Sequence, residues 1–92
     1  MIITFQNLGN KIGITRDMLH VYLGHFTLTK YVTRNPYERK HALSVKFTSE
    51  FVTDFINYLT LLKRRKYTPE RILFIKNQLE ELICQQNHQT TA

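Results

Sequence analysis

The chain has 92 residues, enough for one domain with a modest core. Lys plus Arg number 13 and Asp plus Glu 7, a net charge of +6 that favours a polyanionic partner. Cys84 is the only cysteine, which excludes an intrachain disulfide and a multi-cysteine metal centre and fits a reducing cytoplasm. No run reaches the roughly 20 apolar residues that span a bilayer. The opening Met-Ile-Ile-Thr-Phe-Gln-Asn also lacks the pattern of a signal peptide.

Taken in chain order, Met1 to Thr4 reads as a short extended lead, with Thr4 placed to cap a helix over Phe5 to Ile12. A second helix is predicted from about Arg16 to Leu23. Thr15 is its cap, Asp17 lies in its first turn where the helix dipole favours an acid, and Gly24 is its stop signal. Gly9 stands where a close approach of the second helix needs a residue without Cβ, and Gly13 where the turn needs a positive φ. Leu8, Ile12, Ile14, Leu19 and Tyr22 supply apolar contacts. Together these residues have the form of a helix-turn-helix.

From Thr27 the pattern changes. Tyr31-Val-Thr-Arg is β-branched and aromatic, and Leu43, Val45 and Phe47 alternate with Ser44 and Lys46. Between them Asn35-Pro-Tyr-Glu-Arg-Lys-His41 opens with a turn signal and stays polar, predicting a β-hairpin with a basic tip. A third helix is expected over Ser49 to Arg65, capped by Thr48 or Ser49, with Phe51, Phe55, Leu59 and Leu62 in one stripe and Val52 and Ile56 beside it. Thr68-Pro-Glu then starts a fourth helix, running to about Ile83. Gln85 to Ala92 is polar and is expected to be a frayed tail.

The fold class expected is therefore α+β, mostly helical: a winged helix-turn-helix over residues 1–67, a C-terminal amphipathic helix over 68–84 and a flexible tail over 85–92. Since no helix is seen before the motif, Ser49 to Arg65 is expected to be its third packing partner. Charge follows the same division. Residues 1–67 hold 11 basic and 4 acidic side chains, residues 68–92 only 2 and 3.

The opening Ile3-Thr-Phe-Gln-Asn-Leu-Gly-Asn-Lys-Ile-Gly-Ile-Thr-Arg-Asp-Met-Leu resembles the start of MerR-type and phage excisionase-type DNA-binding domains. Those begin almost directly at the helix-turn-helix and pass through a β-wing into a helix opened by a Ser/Thr-acid pair, here Thr48-Ser-Glu50. The resemblance covers about residues 2–60. It departs from the family in two places. The aromatic or arginine usual after the turn is matched only by Tyr22, and the wing is longer and more aromatic. No cysteine array or effector domain follows, so metal or drug sensing is not implied. What the resemblance implies is a DNA-reading helix, a phosphate-touching wing and action in pairs or arrays.

On the second helix Met18, Leu19, Tyr22 and Leu23 are expected to face inward, leaving Thr15, Arg16, Asp17, His20 and Val21 outward as contacts to double-stranded DNA. Arg16 suits a guanine edge or a phosphate, His20 a phosphate or a base, and Val21 a thymine methyl. Asp17 either accepts from a cytosine amine or orients Arg16. In the hairpin Lys30, Arg34, Tyr37, Arg39, Lys40 and His41, with Lys46, suit the minor groove or the backbone, and the plain alternative is a solvated turn. Lys63 to Lys66 either add phosphate contacts or form a solvated helix end.

No catalytic constellation is visible. His20, His25, His41 and His88 lack metal-ligand spacing, Cys84 is expected to pack beside the apolar face of the last helix, and no Gly-rich phosphate loop is present. No enzyme, cofactor, metal, membrane or small-molecule partner is therefore expected. The face formed by Ile72, Ile75, Leu79, Leu82 and Ile83, extended by Leu73, either packs on the preceding helix or joins two copies as a homodimer. The functional expectation is sequence-specific DNA binding by a small transcriptional regulator or an excisionase-like factor, in the cytoplasm of a bacterial cell or a phage-infected host. The rival is a small phage-type protein-interaction module that blocks a host protein or nucleoprotein complex.

Overall fold

The computed structural model describes residues 2–34, 43–62 and 67–90, with side chains to residue 85. Their order is β1 (Ile2–Thr4), α1 (Phe5–Ile12), α2 (Arg16–Leu23), a 3-10 turn (Thr29–Tyr31), β2 (Val32–Arg34), β3 (Leu43–Lys46), α3 (Ser49–Thr60) and α4 (Pro69–Thr90). The architecture is α+β and mostly helical, as expected. The chain divides into two compact units, Met1–Phe47 and Thr48–Ala92. The division places α3 with α4 in the second unit.

In the first unit the strand order is β1-β3-β2 and both pairings are antiparallel. The two strands expected from Tyr31–Arg34 and Leu43–Phe47 are present as the antiparallel pair β2 and β3, with Arg34 opposite Leu43; the expected basic tip, Asn35 to His41, lies outside the described residues. Tyr31 itself belongs to the 3-10 turn and is buried there. The extended lead is a true strand: Ile3 pairs with Val45 and Thr4 with Ser44. This makes β3 central and explains why Ser44 is buried rather than solvent-facing. It lies in a row of short polar residues, Thr4, Ser44 and Thr33, across the three strands. Such polar neighbours suit a pleated sheet. Thr4 ends β1 and also caps α1, its Oγ1 accepting from the Asn7 N–H at 3.1 Å. Sheet and helix thus share one residue as a joint, and α1 packs on β1 and β3.

The core of this unit is Phe5, Leu8, Ile12, Ile14, Leu19, Tyr22, Leu23, Leu28, Tyr31, Val45 and Phe47. Leu19, Tyr22 and Leu23 are buried as expected, and Met18 is half-buried.

The second unit rests on α3 packed against α4. Thr48 caps α3, accepting from the Phe51 N–H at 3.1 Å. Phe51, Val52, Phe55 and Leu59 are buried, with the Phe51 and Phe55 rings stacked at 5.4 Å. Burial of each such side chain contributes about 1.5–3 kcal/mol. The expected helix to Arg65 stops at Thr60. There the Thr60 hydroxyl donates to the Ile56 carbonyl at 2.8 Å, and the Leu61 N–H is shared between the Asn57 and Tyr58 carbonyls. That sharing tightens the last turn towards 3-10 geometry and ends the α-helix. Lys63 to Lys66 lie outside the described residues.

Thr68 caps α4 by accepting from the Arg71 N–H at 3.2 Å. The helix continues to Thr90, well past the expected end at Ile83, so most of the expected frayed tail is helical. No Gly or Pro follows Ile83 to interrupt the backbone ladder, and Gln is a good helix former. Ile75 and Leu79 are fully buried, whereas Ile72, Leu82 and Ile83 are half-buried. Leu73 and Phe74 are more than half exposed. Cys84 is exposed rather than packed. At 3.6 residues per turn it falls on the side of α4 opposite Ile75 and Leu79.

Candidate nucleic-acid interface

The candidate surface is the outer side of α2, and it depends on how α2 is held against α1. A methyl group at Gly9 would lie on the carbonyl oxygen of Ile14, with Leu19 Cδ1 also close at 3.3 Å. Only a residue without Cβ permits this approach. Gly13 takes φ 73°, the left-handed conformation that glycine adopts without penalty. The Gly9 carbonyl accepts from both the Gly13 N–H (2.8 Å) and the Ile14 N–H (3.1 Å), which closes the turn. Thr15 Oγ1 then accepts from the Met18 N–H at 3.2 Å and starts α2. These features match the roles expected for Gly9, Gly13 and Thr15. Gly24 differs. It ends α2 in a right-handed conformation (φ −79°), its N–H donating to the His20 carbonyl at 3.1 Å.

With the inner side of α2 buried, Thr15, Arg16, Asp17, His20 and Val21 are all exposed. Val21 is 63 % exposed, a large fraction for a β-branched apolar residue. His20 is exposed but not loose. Its ring stands edge-on to the buried Phe5 ring, with centroids 5.0 Å apart at 64°. The packing gives the imidazole a defined direction.

Lys30 is exposed in the 3-10 turn, with Nζ 5.2 Å from the centre of the Tyr31 ring. Arg34 is exposed at the end of β2. Tyr37, Arg39, Lys40 and His41 fall outside the described residues.

His20 and Arg34, far apart in sequence, line one open concavity of about 360 Å³. Phe5, Leu23, Val32 and Leu43 supply its apolar lining, and Gly24, Thr29 and Thr33 its edges. Arg16, Asp17, Val21 and Lys30 are not among the lining residues. Among the described residues the expected contacts thus fall on the outer face of α2, on the hollow lined by His20 and Arg34, and, for Lys30, on the 3-10 turn. A cation, an imidazole and two hydroxyls beside apolar surface can together receive a phosphate and the sugar it carries.

A further exposed side chain lies close to this surface in sequence. Phe26 is 81 % exposed, in a turn where the sequence shows neither helical nor strand period. The only sequence signal for it is an aromatic residue between the stop at Gly24 and the next apolar anchor, Leu28.

Among the described residues no group of His, Cys, Asp or Glu side chains is placed to hold a metal ion. No helix among them is long and apolar enough to cross a membrane. No protein-family model matches the chain, and neither a curated protein nor a solved structure matches it.

Proposed function

We propose that the first unit is a winged helix-turn-helix that binds double-stranded DNA in a sequence-specific manner. In this reading α2 enters the major groove and β2 and β3 form the stem of a wing that lies on the backbone or in the minor groove. The observation that carries the reading is the outer face of α2. Arg16, Asp17, His20 and Val21 are exposed together, while α2 is held onto α1 by the Gly9 contact and the Gly13 turn. Charge supports it: residues 1–47 hold seven basic and two acidic side chains, residues 48–92 six and five. The protein acts here by binding, as a small transcriptional regulator or an excisionase-like factor, and not by catalysis.

In the same reading two copies associate through α4. Ile75 and Leu79 are already covered within one chain, so the shared surface falls on Leu73 and Phe74 or on the half-buried Ile72, Leu82 and Ile83. Pairing lengthens the site read and raises affinity through effective concentration. Sedimentation tests it: a monomer at tens of micromolar sinks the pairing but leaves DNA binding standing.

Selection of bound duplexes from genomic fragments, at stated salt, tests the main reading. A regulator selects two-fold symmetric sites, and an excisionase-like factor selects direct repeats that it bends. Arg16→Ala should cost about 1–3 kcal/mol of binding at the selected site, and Arg34→Ala should lower the salt slope by about one. Arg71→Ala, a cation of the second unit, should change neither. A folded protein that binds no duplex at low salt overturns the reading and leaves the protein-interaction module in its place.

A further inference from the structure

We propose that Phe26 is a stacking wedge that inserts against the bases of bound duplex and kinks it. The proposal rests on the DNA-binding reading and adds a base-contacting residue beyond α2 and the wing.

The ring is the most exposed large apolar side chain among the described residues. Its display is built rather than accidental. The His25 N–H donates to the Tyr22 carbonyl at 3.1 Å, and the His25 carbonyl accepts from both the Leu28 and Thr29 N–H groups at 2.9 and 3.1 Å. Inside the turn the Thr27 N–H donates to His25 Nδ1 at 3.3 Å, and Thr27 Oγ1 lies 2.8 Å from the same nitrogen. The Thr29 hydroxyl donates to the Phe26 carbonyl at 3.3 Å. Leu28, fully buried, anchors the turn to the core. The His25 ring stands beside Phe26 with centroids 4.5 Å apart. The backbone beneath Phe26 is therefore held by the turn, and the His25 ring beside it narrows the directions open to the exposed side chain, which lowers the ordering cost of binding.

Its position suits a nucleic acid. Gly24 and Thr29, which bracket the turn, border the hollow that also holds His20 and Arg34. Lys30 follows directly and is exposed. The seven-to-two excess of basic residues in this unit works against a second copy of the same surface as the occupant. It favours a polyanion, and a nucleic acid is the polyanion whose bases also offer flat faces to an aromatic ring. Apolar wedges enter duplex DNA between base steps, most cheaply at flexible pyrimidine–purine steps.

The test uses the full chain and a short duplex of alternating adenine and thymine, rich in flexible steps, at low salt. Three quantities are read: affinity, end-to-end distance by energy transfer, and permanganate reactivity of the thymines, which reports unstacking. The native protein should raise thymine reactivity and shorten the duplex. Phe26→Ala should lose both effects and bind about tenfold more weakly, while Phe26→Trp should keep them. Because the ring is exposed, circular dichroism of the alanine variant should match that of the native chain. If Phe26→Ala binds, bends and unstacks the duplex as the native protein does, the wedge is wrong and the DNA-binding reading survives. If the native protein binds no duplex, both fall. If Phe26→Ala leaves the duplex signals unchanged but dissociates a dimer in sedimentation, the ring serves a second copy and the wedge is overturned.

Discussion

The two units of this protein bury apolar surface in different ways. The first, Met1–Phe47, packs two eight-residue helices on each other and the first of them on a small sheet, and its helix pair depends on a glycine touching a backbone carbonyl. The second, Thr48–Ala92, packs α3 on a 22-residue helix, and α3 carries a stacked pair of buried phenylalanines. The first carries most of the charge excess and presents a polar helix face; the second is nearly neutral. Backbone contact fixes direction, because a carbonyl cannot yield as a side chain can. Side-chain packing gives bulk stability and tolerates adjustment. A unit that must aim a helix gains from the first kind of contact, and a unit that must hold together gains from the second.

Substitutions can break this contrast, and the largest effect is expected in the second unit. Phe55→Ala removes a fully buried ring stacked on Phe51. It should cost about 3–5 kcal/mol in denaturant unfolding. Duplex affinity should stay within about twofold wherever the variant remains folded, since Phe55 belongs to the second unit and the proposed contacts to the first. A marked loss of affinity in folded Phe55→Ala would show that the aiming does not reside in the first unit alone.

Gly9→Ala is expected next. Its new methyl meets the Ile14 carbonyl, and the strain should cost about 1–3 kcal/mol. Calorimetry should show the melting temperature falling by roughly 4–8 °C per kcal/mol. Duplex binding should fall further than stability alone explains, because α2 is displaced. A variant with native melting temperature and native affinity would remove the close contact as a determinant.

The smallest effect makes the cleanest comparison. Thr15→Ala and Thr48→Ala each remove one helix cap, at about 1 kcal/mol apiece. Only Thr15→Ala should weaken duplex binding, and equal losses from both would erase the distinction between the units.

The parts of this fold legible in the sequence are those set by local backbone demands. Gly9, Gly13 and Thr15 each answer a constraint within one or two turns, and Thr4, Thr48 and Thr68 each sit one residue before a helix. The burial of Phe51, Phe55 and Leu59 follows from helical spacing, as does the exposure of Arg16, Asp17, His20 and Val21. What was not legible depends on partners distant in the chain or on small energy differences. The pairing of Ile2–Thr4 with β3 joins the two ends of the first unit, and three residues carry no period that announces it. At the stop of α3 the Leu61 N–H is shared between two carbonyls, a local detail that the apolar stripe continuing to Leu62 does not announce. The spread of apolar residues along α4 points to a wide apolar face with Cys84 beside it, but only Ile75 and Leu79 of its described residues are buried and Cys84 is exposed. The hollow between His20 and Arg34 needs the sheet in place before it exists.

The first strand has a practical consequence for anyone handling this protein. Ile2–Thr4 covers one side of β3 while β2 covers the other, so no hydrogen-bonding edge of β3 is bare along the paired residues. A version trimmed to begin at Phe5 loses the cap of α1 and turns β3 into an open edge, a template on which other chains can add strands. An amino-terminal fusion that pulls those residues away does the same. Aggregation of such versions would therefore report a missing strand and not an intrinsically insoluble protein.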